Sequence, residues 1–188
     1  MLMQGQSVYT RILLHSDTEA LWRLRTENRS FFQPFEPIQD EAFYTREGVK
    51  ETITQSLAEQ ELGGSFSFGI FTPGDELIGR VRLSCIVRGA WQNANIGYML
   101  AERWNGRGLM TEAVGLTLKF AFEHANLHRV QAGIMPGNTG SQRVAEKNGM
   151  RCEGLAKRYL RIAGVWEDHR IYAITAEDWR ERPKGVTP

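Results

Sequence analysis

The sequence predicts one α/β domain around a mixed β-sheet, mostly antiparallel, with a central parallel pair of strands and about four flanking helices. Strand-like segments at residues 65–72, 77–87 and 93–100 are separated by the short turns "TPGDE" and "RGAWQ", which is typical of an antiparallel meander. A strand–helix–strand unit over residues 93–135 follows, and a right-handed crossover makes its two strands parallel. A length of 188 residues with 41% hydrophobic side chains suits one core, so residues 1–188 are predicted as a single domain.

The first half of the chain predicts a strand and two amphipathic helices ahead of the meander. The strand covers residues 7–14, and Asp17 opens a helix that continues to residue 29. Residues 30–37, "SFFQPFEP", are predicted as an aromatic loop because they contain two prolines. A second helix covers residues 45–62 and ends at the pair Gly63 and Gly64.

The second half of the chain alternates between helices and strands. Helices are predicted at residues 109–123 and 141–148, and strands at residues 129–135, 150–162 and 166–175. The last two strands are joined by the turn "AGVW". No repeat or linker divides the chain.

Composition excludes several classes of function. A net charge of +1 argues against a direct nucleic-acid binder, which needs a dense basic surface. No segment has the length and apolarity of a membrane span or a signal peptide, and the two cysteines form no metal or redox motif. We therefore expect a cytoplasmic protein without a metal, either monomeric or homodimeric. Residues 16–62 carry ten acidic and five basic side chains, a net charge of −5 that would favour a basic partner.

A glycine turn precedes the helix predicted at residue 109. Gly106 and Gly108 allow a tight bend and close approach to a ligand, and Arg103 and Arg107 add positive charge. The helix has no Ser, Thr, Asp or Asn at its start, so its first N–H groups are free to bind an anion. The pattern fits neither the Walker loop nor the G-x-G-x-x-G dinucleotide motif. It therefore predicts a pyrophosphate site of another kind, in which Asn105, Leu109 and Met110 also take part.

Residues 103–108 resemble the R/Q-x-x-G-x-G/A signature of the GCN5-related N-acetyltransferases, the GNAT family. "MPGNTGSQRVAEKNGM" at residues 135–150 resembles the coenzyme-contacting segment of that family, and "NGMRCEG" at residues 148–154 resembles its N-G-F-x-x-E-G ending. Several further segments, "ENRSFFQPFEP", "FSFGIF", "IVRGAW", "HRVQAGIMPGN" and "GVWEDHRIYAIT", resemble the RimJ/RimL-type ribosomal-protein N-terminal acetyltransferases, and the RimJ type most closely. The resemblance implies a GNAT fold, acetyl-CoA as co-substrate and the N-terminal peptide of a ribosomal protein as acceptor, with alanine in the RimJ case.

The resemblance also implies roles for individual residues. The strand at residues 93–100 would splay from its parallel neighbour, so that the backbone of Tyr98, Met99 and Leu100 contacts pantetheine or polarises the thioester carbonyl. Asn138 would bind the pantetheine arm, and Ser141 would protonate the departing thiolate or simply cap its helix. Arg143 and Lys147 would reach the adenosine phosphates or remain solvated.

Acceptor residues and a base are less defined by the sequence. Phe31, Phe32 and Phe35 would form one wall of an acceptor groove or seal the core, and Trp91 and Tyr159 are further candidates. Many relatives carry Glu in an A-E-I-G-Y pattern where this chain has Asn95, so the base is unassigned, with Glu167, Asp168 and His169 as candidates. An α-amine has a pKa of about 7.7–8.0 against about 10.4 for lysine, so it needs a weaker base.

Three functions remain open at this point. The first is a protein N-terminal acetyltransferase of the RimJ type. The second is a small-molecule acetyltransferase with the same fold, acting on an antibiotic, polyamine or amino acid. The third is a CoA-binding or ribosome-associated protein without turnover.

Overall fold

Eight strands form one sheet in the computed structural model, which describes residues 1–182; the last six residues of the predicted domain lie outside the described residues. The order across the sheet is β1-β2-β3-β4-β5-β6-β8-β7, and every neighbouring pair is antiparallel except β5 and β6. The predicted mixed sheet with one central parallel pair is therefore confirmed. The strands are β1 (Leu2–Gln4), β2 (Tyr9–Ile12), β3 (Phe66–Phe71), β4 (Leu77–Val87), β5 (Asn93–Leu100), β6 (Arg129–Ile134), β7 (Arg151–Ile162) and β8 (Val165–Thr175).

Within residues 1–182, four longer helices and two short ones flank this sheet. They are α1 (Thr18–Glu27), α2 (Arg29–Phe32), α3 (Arg46–Glu61), α4 (Leu109–Glu123), α5 (Thr139–Lys147) and α6 (Ala176–Glu181). The start of α3 is fixed by the Thr45 hydroxyl, which accepts the N–H of Gly48 at 3.0 Å. No helix in the described part of the chain is both long and apolar enough to cross a bilayer.

Three differences from the predicted elements have physical causes. Residues 30–37 are not a loop: α2 is followed by a 3₁₀ turn, Gln33–Phe35, which tolerates Pro34 because a first-turn N–H needs no helical acceptor. Strand β1 has three residues and is too short to show an alternating pattern. Helix α6 was also not predicted, although Thr175 and Asp178 form a capping box at its start.

Two clusters of buried side chains hold the helices on the sheet. The larger one joins β3–β6 to α4, with Phe68, Leu118 and Val130 fully buried and Phe120 packed edge-on against Phe68 at 5.0 Å. The smaller one joins α1 and α3 to the ends of β3 and β4. Together they fix the position of the parallel strand pair.

The parallel pair separates along its length. Residues 93–95 of β5 pair with residues 129–131 of β6, but no pairing follows although both strands continue. The Asn95 Oδ1 accepts a hydrogen bond from the Gln131 Nε2 at 2.9 Å where the strands part. We call the gap beyond this bond, between residues 96–100 and 132–134, the fork.

Candidate active site

A cleft of about 850 Å³ opens at the fork. It is lined by the second half of β5 (residues 96–100), the end of β6 and the following turn (132–135 and 137), residues 104–111 before and within α4, residues 138–141, 143, 144 and 147 at α5, residues 80, 82 and 84 of β4, residues 31, 32, 35 and 36, and His169 of β8. The structure therefore brings together these residues predicted from the sequence: Tyr98, Met99, Leu100, Asn105, Gly106, Arg107, Gly108, Leu109, Met110, Asn138, Ser141, Arg143, Lys147, Phe31, Phe32 and Phe35.

Three predicted site residues do not line this cleft. Arg103 is turned away and forms an ion pair with Glu76. Trp91 is 52% exposed in the turn between β4 and β5. Tyr159 is 38% exposed and lies next to the cleft residue Gly133, and its ring packs against His169 with centroids 5.7 Å apart.

The glycine turn fits an anionic ligand. Gly106 and Gly108 have φ values of 76° and 79°, in the left-handed region that favours glycine, and a Cβ on either would meet no atom within 4 Å. Helix α4 begins with no side-chain cap, so the N–H groups of its first turn remain available. The Arg107 guanidinium is held beside the turn because its Nη2 donates to the Arg103 carbonyl at 3.0 Å. Space, free N–H donors and positive charge thus coincide where a pyrophosphate would bind.

The α5 side of the fork holds a hydroxyl pair. The Ser141 Oγ donates to the Tyr98 Oη at 2.9 Å, and the Tyr98 Oη donates to the Ser141 carbonyl at 3.1 Å. Burial raises the pKa of Tyr98 to about 12, so its hydroxyl stays protonated near neutral pH. The interpretation of Ser141 as the helix cap is wrong, because Asn138 caps α5 by accepting the Ser141 N–H at 3.1 Å. The Ser141 hydroxyl is therefore free of a capping role.

The opposite side of the fork is polar. Strand register pairs Arg80, Arg82 and Ser84 of β4 with Met99, Gly97 and Asn95 of β5, and directly paired residues share one face of a sheet. We call this surface, with Gln131 and Gly133 of β6, the polar face. Arg82 is fixed by an ion pair with Glu59 at 2.6 Å. The alternating segment "RVRLS" at residues 80–84 was the sequence signal for it, since alternation marks a strand with one polar face.

Glu36 is the one carboxylate among the described residues that line the cleft. Burial raises its pKa, although Arg80 and Arg25 act in the opposite direction. Burial also lowers the pKa of Arg80, and it lowers that of Arg25 to about 9. Arg25 is 2% exposed and stacks on the Phe43 ring at 3.8 Å. This buried charge cluster could not be predicted from a short segment of sequence, because it is assembled from three separate elements.

The Glu36→Gln variant should be more stable than the parent protein at neutral pH. A carboxyl whose pKa is raised by folding contributes its full stability below its unfolded pKa, about 4.3, and loses it as pH rises through the folded pKa. The neutral amide avoids this loss, so the stability difference should disappear near pH 4. Urea denaturation at pH 7 and pH 4 measures it. A variant that is less stable at pH 7, or equally stabilised at both pH values, would contradict the burial argument.

The structure separates the candidate bases. Asn95 is engaged with Gln131, and Asp168 accepts the Arg158 N–H at 2.8 Å outside the cleft. Glu167 also lies outside the cleft lining, whereas His169 belongs to it. Of the three candidates on the last strand, only His169 faces the site. No group of three His, Cys, Asp or Glu side chains within residues 1–182 is arranged to hold a metal ion.

Known proteins share this architecture. Residues 10–151 match the family model described as an acetyltransferase (GNAT) domain. The probable N-acetyltransferase YjcK of Bacillus subtilis (strain 168) is 46% identical over 178 residues, covering 94% of this chain and 98% of that protein. The ribosomal protein uS5-alanine N-acetyltransferase of Escherichia coli (strain K12) is 36% identical over 162 residues, covering 84% of each chain.

A solved structure with the same fold contains the coenzyme. Mycobacterium smegmatis RimJ in complex with CoA-disulfide superposes with a TM-score of 0.90 at 31% identity, covering 95% of this chain and 88% of that one. The resemblance to the GNAT family and to RimJ/RimL-type enzymes is confirmed, and the glycine turn and fork fit the coenzyme that the resemblance implied. The chain therefore belongs to the GNAT family and is an N-acetyltransferase whose acetyl donor is acetyl-CoA.

Proposed function

We propose that the chain acetylates the α-amino group of a protein N-terminus, and specifically the N-terminal alanine of a small-subunit ribosomal protein. The relative that is 36% identical over 84% of both chains is named for alanine acetylation of ribosomal protein uS5, and it supports this acceptor. Such a reaction takes place in the cytoplasm, where ribosomal proteins are synthesised.

The geometry that carries the proposal is the opening on the polar face of the fork. Gly97 and Gly133 are both exposed there, and a Cβ on Gly97 would meet no atom within 4 Å. An extended peptide terminus can therefore approach the fork over Gly97 without displacing a side chain. On the Gly133 side the Tyr159 ring limits the space, since an added Cβ would meet its Cε1 at 3.1 Å, and this favours a small first side chain such as that of alanine.

One carboxylate beside this opening can pair with an ammonium group, although Arg80 and Arg82 also line the cleft. Glu36 is the negative group of the described cleft lining, and the aromatic side chains of Phe31, Phe32 and Phe35 stand beside it. A carboxylate binds a cation by ion pairing, and an aromatic ring binds it by cation–π attraction. These residues would hold the terminal amine near the thioester.

Several acidic side chains in residues 16–62 are engaged in ion pairs and are less available to a basic partner than the composition indicates. Glu19 pairs with Arg23 and Arg46, and Glu41 pairs with Arg29. Asp17 and Glu59 pair instead with Arg11 and Arg82, which lie outside this section and reduce its net charge, so we expect added salt to weaken the binding of a basic peptide only modestly.

Matched peptides test the proposal. One peptide begins with a free alanine and contains internal lysines, and its control is identical except for a formyl group on the α-nitrogen. The purified protein should acetylate the first peptide at its α-nitrogen and leave the formylated one unmodified, as mass spectrometry would show. Peptides that begin with serine or methionine should react more slowly than the alanine peptide, because their side chains are larger.

The other outcomes select the alternatives. Acetylation of lysine in the formylated peptide, or faster transfer to spermidine than to the alanine peptide, would overturn the proposal in favour of a small-molecule acetyltransferase. Binding of CoA without consumption of acetyl-CoA on any of these amines would indicate a protein without turnover.

A further inference from the structure

His169 is held in one orientation at the wall of the cleft. The residue is 3% exposed, and its Nδ1 lies 3.0 Å from the carbonyl oxygen of Glu167. A carbonyl oxygen can only accept, so Nδ1 carries the proton and Nε2 keeps its lone pair in the neutral ring. Within residues 1–182 the Nε2 atom has no hydrogen-bond partner. The ring therefore presents an unused acceptor.

The ring edge that carries that acceptor lies near the fork. The His169 Cδ2, which is bonded to Nε2, lies 3.7 Å from the point that a Cβ on Gly133 would occupy, and the Tyr159 Cε1 borders the same point at 3.1 Å. Gly133 stands two residues beyond Gln131, the last residue of β6 that pairs with β5. His169 and Gly133 also share the polar face, since the paired strands place Gly133 opposite Ile171 and side chains alternate along β8. The Nε2 edge thus borders the opening to which the acceptor amine comes.

We propose that His169 is the general base that deprotonates the acceptor amine. Nε2 takes one proton from the ammonium group, and the lone pair freed on that nitrogen forms the new C–N bond as the C–S bond breaks. The nitrogen releases a second proton as the amide forms, the departing sulfur gains one, and the imidazolium returns its proton to solvent through the cleft. One proton is released in the whole reaction.

Positively and negatively charged side chains both surround His169. Tyr159 of β7 packs on the ring, and Glu167 precedes it by two residues on β8. The other charged or titratable side chains that line the cleft are Glu36, Arg80, Arg82, Tyr98, Arg107, Arg143 and Lys147. The test therefore compares a variant with the parent at each pH, so that effects of these groups common to both proteins cancel.

The expected effect follows from the acceptor. The inference rests on the proposed α-amine acceptor, which sets the size of the expected loss of activity. An α-amine with a pKa of about 7.7–8.0 is neutral in roughly one molecule of ten at pH 7. A variant without the base reacts only with the neutral fraction of the amine, so its rate should fall about tenfold at pH 7. Near pH 9 the amine is already neutral and the loss should vanish.

Two variants test the base. His169→Asn retains a donor near the Nδ1 position, and His169→Gln retains a polar group near Nε2, but neither amide is basic. We expect kcat/KM for a free alanine peptide to be about tenfold lower at pH 7 in both variants and equal to the parent value at pH 9. The KM for acetyl-CoA should not change. His124→Gln, at the exposed end of α4 and outside the cleft, is the control and should follow the parent.

A purely structural role for His169 predicts a different result. A loss that is the same at every pH, or full activity of a folded variant at pH 7, would overturn the inference. If the parent does not acetylate the alanine peptide, the proposed acceptor is wrong and the same variants are measured on the best amine found. For an amine of pKa about 10.4 the ratio of parent to variant should stay large up to pH 9. The two proposals therefore fail in distinguishable ways.

Discussion

Replacing Gly108 with valine should weaken acetyl-CoA binding about 10- to 150-fold while leaving the domain folded. Gly108 has φ of 79° and borders the cleft, and a Cβ added there would have no protein atom within 4 Å. A valine at this position projects into the space of the pyrophosphate and turns the first N–H groups of α4 away from it. Each hydrogen bond to a charged group is worth about 1.5–3 kcal/mol, which gives the expected range. Isothermal titration calorimetry with CoA measures it.

Gly89→Val is the matched control. Gly89 has φ of 74° and no atom within 4 Å of an added Cβ, but it lies in the turn between β4 and β5, outside the cleft. Both variants pay the same cost of about 1–2 kcal/mol for a left-handed non-glycine residue. Only Gly108→Val should lose affinity. Equal affinities for CoA in the two variants would show that the pyrophosphate does not bind at this turn.

Ser141→Ala should lower kcat about a hundredfold with little change in the KM for acetyl-CoA. Its hydroxyl lies in the fork and is oriented by Tyr98 at 2.9 Å, a placement suited to protonating the departing sulfur. The unfolding free energy should hardly change, because the cap of α5 is Asn138. Steady-state kinetics and thermal denaturation measure the two quantities.

Asn138→Ala and Tyr98→Phe complete this test. Asn138→Ala should cost about 1 kcal/mol of stability, the typical value of a lost N-cap, and so calibrates the thermal measurement. If Tyr98→Phe lowers kcat strongly while Ser141→Ala does not, the proton comes from the phenol, and the assignment to Ser141 is wrong.

The sequence predicted best where one local signal decides the structure. Helix α4 begins at Leu109 as expected, because Gly108 adopts a left-handed conformation and a long apolar repeat follows. Strands β4 and β5 also have the predicted bounds, since glycine-containing turns enclose them. Helix α5 differs because "NTGS" contains three residues of the capping type, and only the folded turn selects Asn138 over Ser141.

Only those parts of the candidate site that depend on a local sequence signal could be predicted. The glycine turn and the start of α5 are each formed by one short stretch of sequence, so their residues could be found from motifs. The polar face depends on the register that sets Arg82 opposite Gly97, and the Glu36 cluster depends on burial of residues from three elements. Neither is a property of a short segment. His169 could be proposed as a candidate but not separated from Glu167 and Asp168 until β8 was in place.

The fork divides one continuous sheet into two half-sheets, β1–β5 and β6–β8, which share three pairs of residues at their junction. Beyond those pairs the facing edges of β5 and β6 have no strand between them, so their backbone N–H and C=O groups border the cleft, away from the outer edges of the sheet. A bound molecule that carries amide groups can form hydrogen bonds with the backbone groups of β5 and β6 that do not pair with each other. A molecule bound there would therefore add contacts between the two half-sheets, and its binding would stabilise the folded state by mass action.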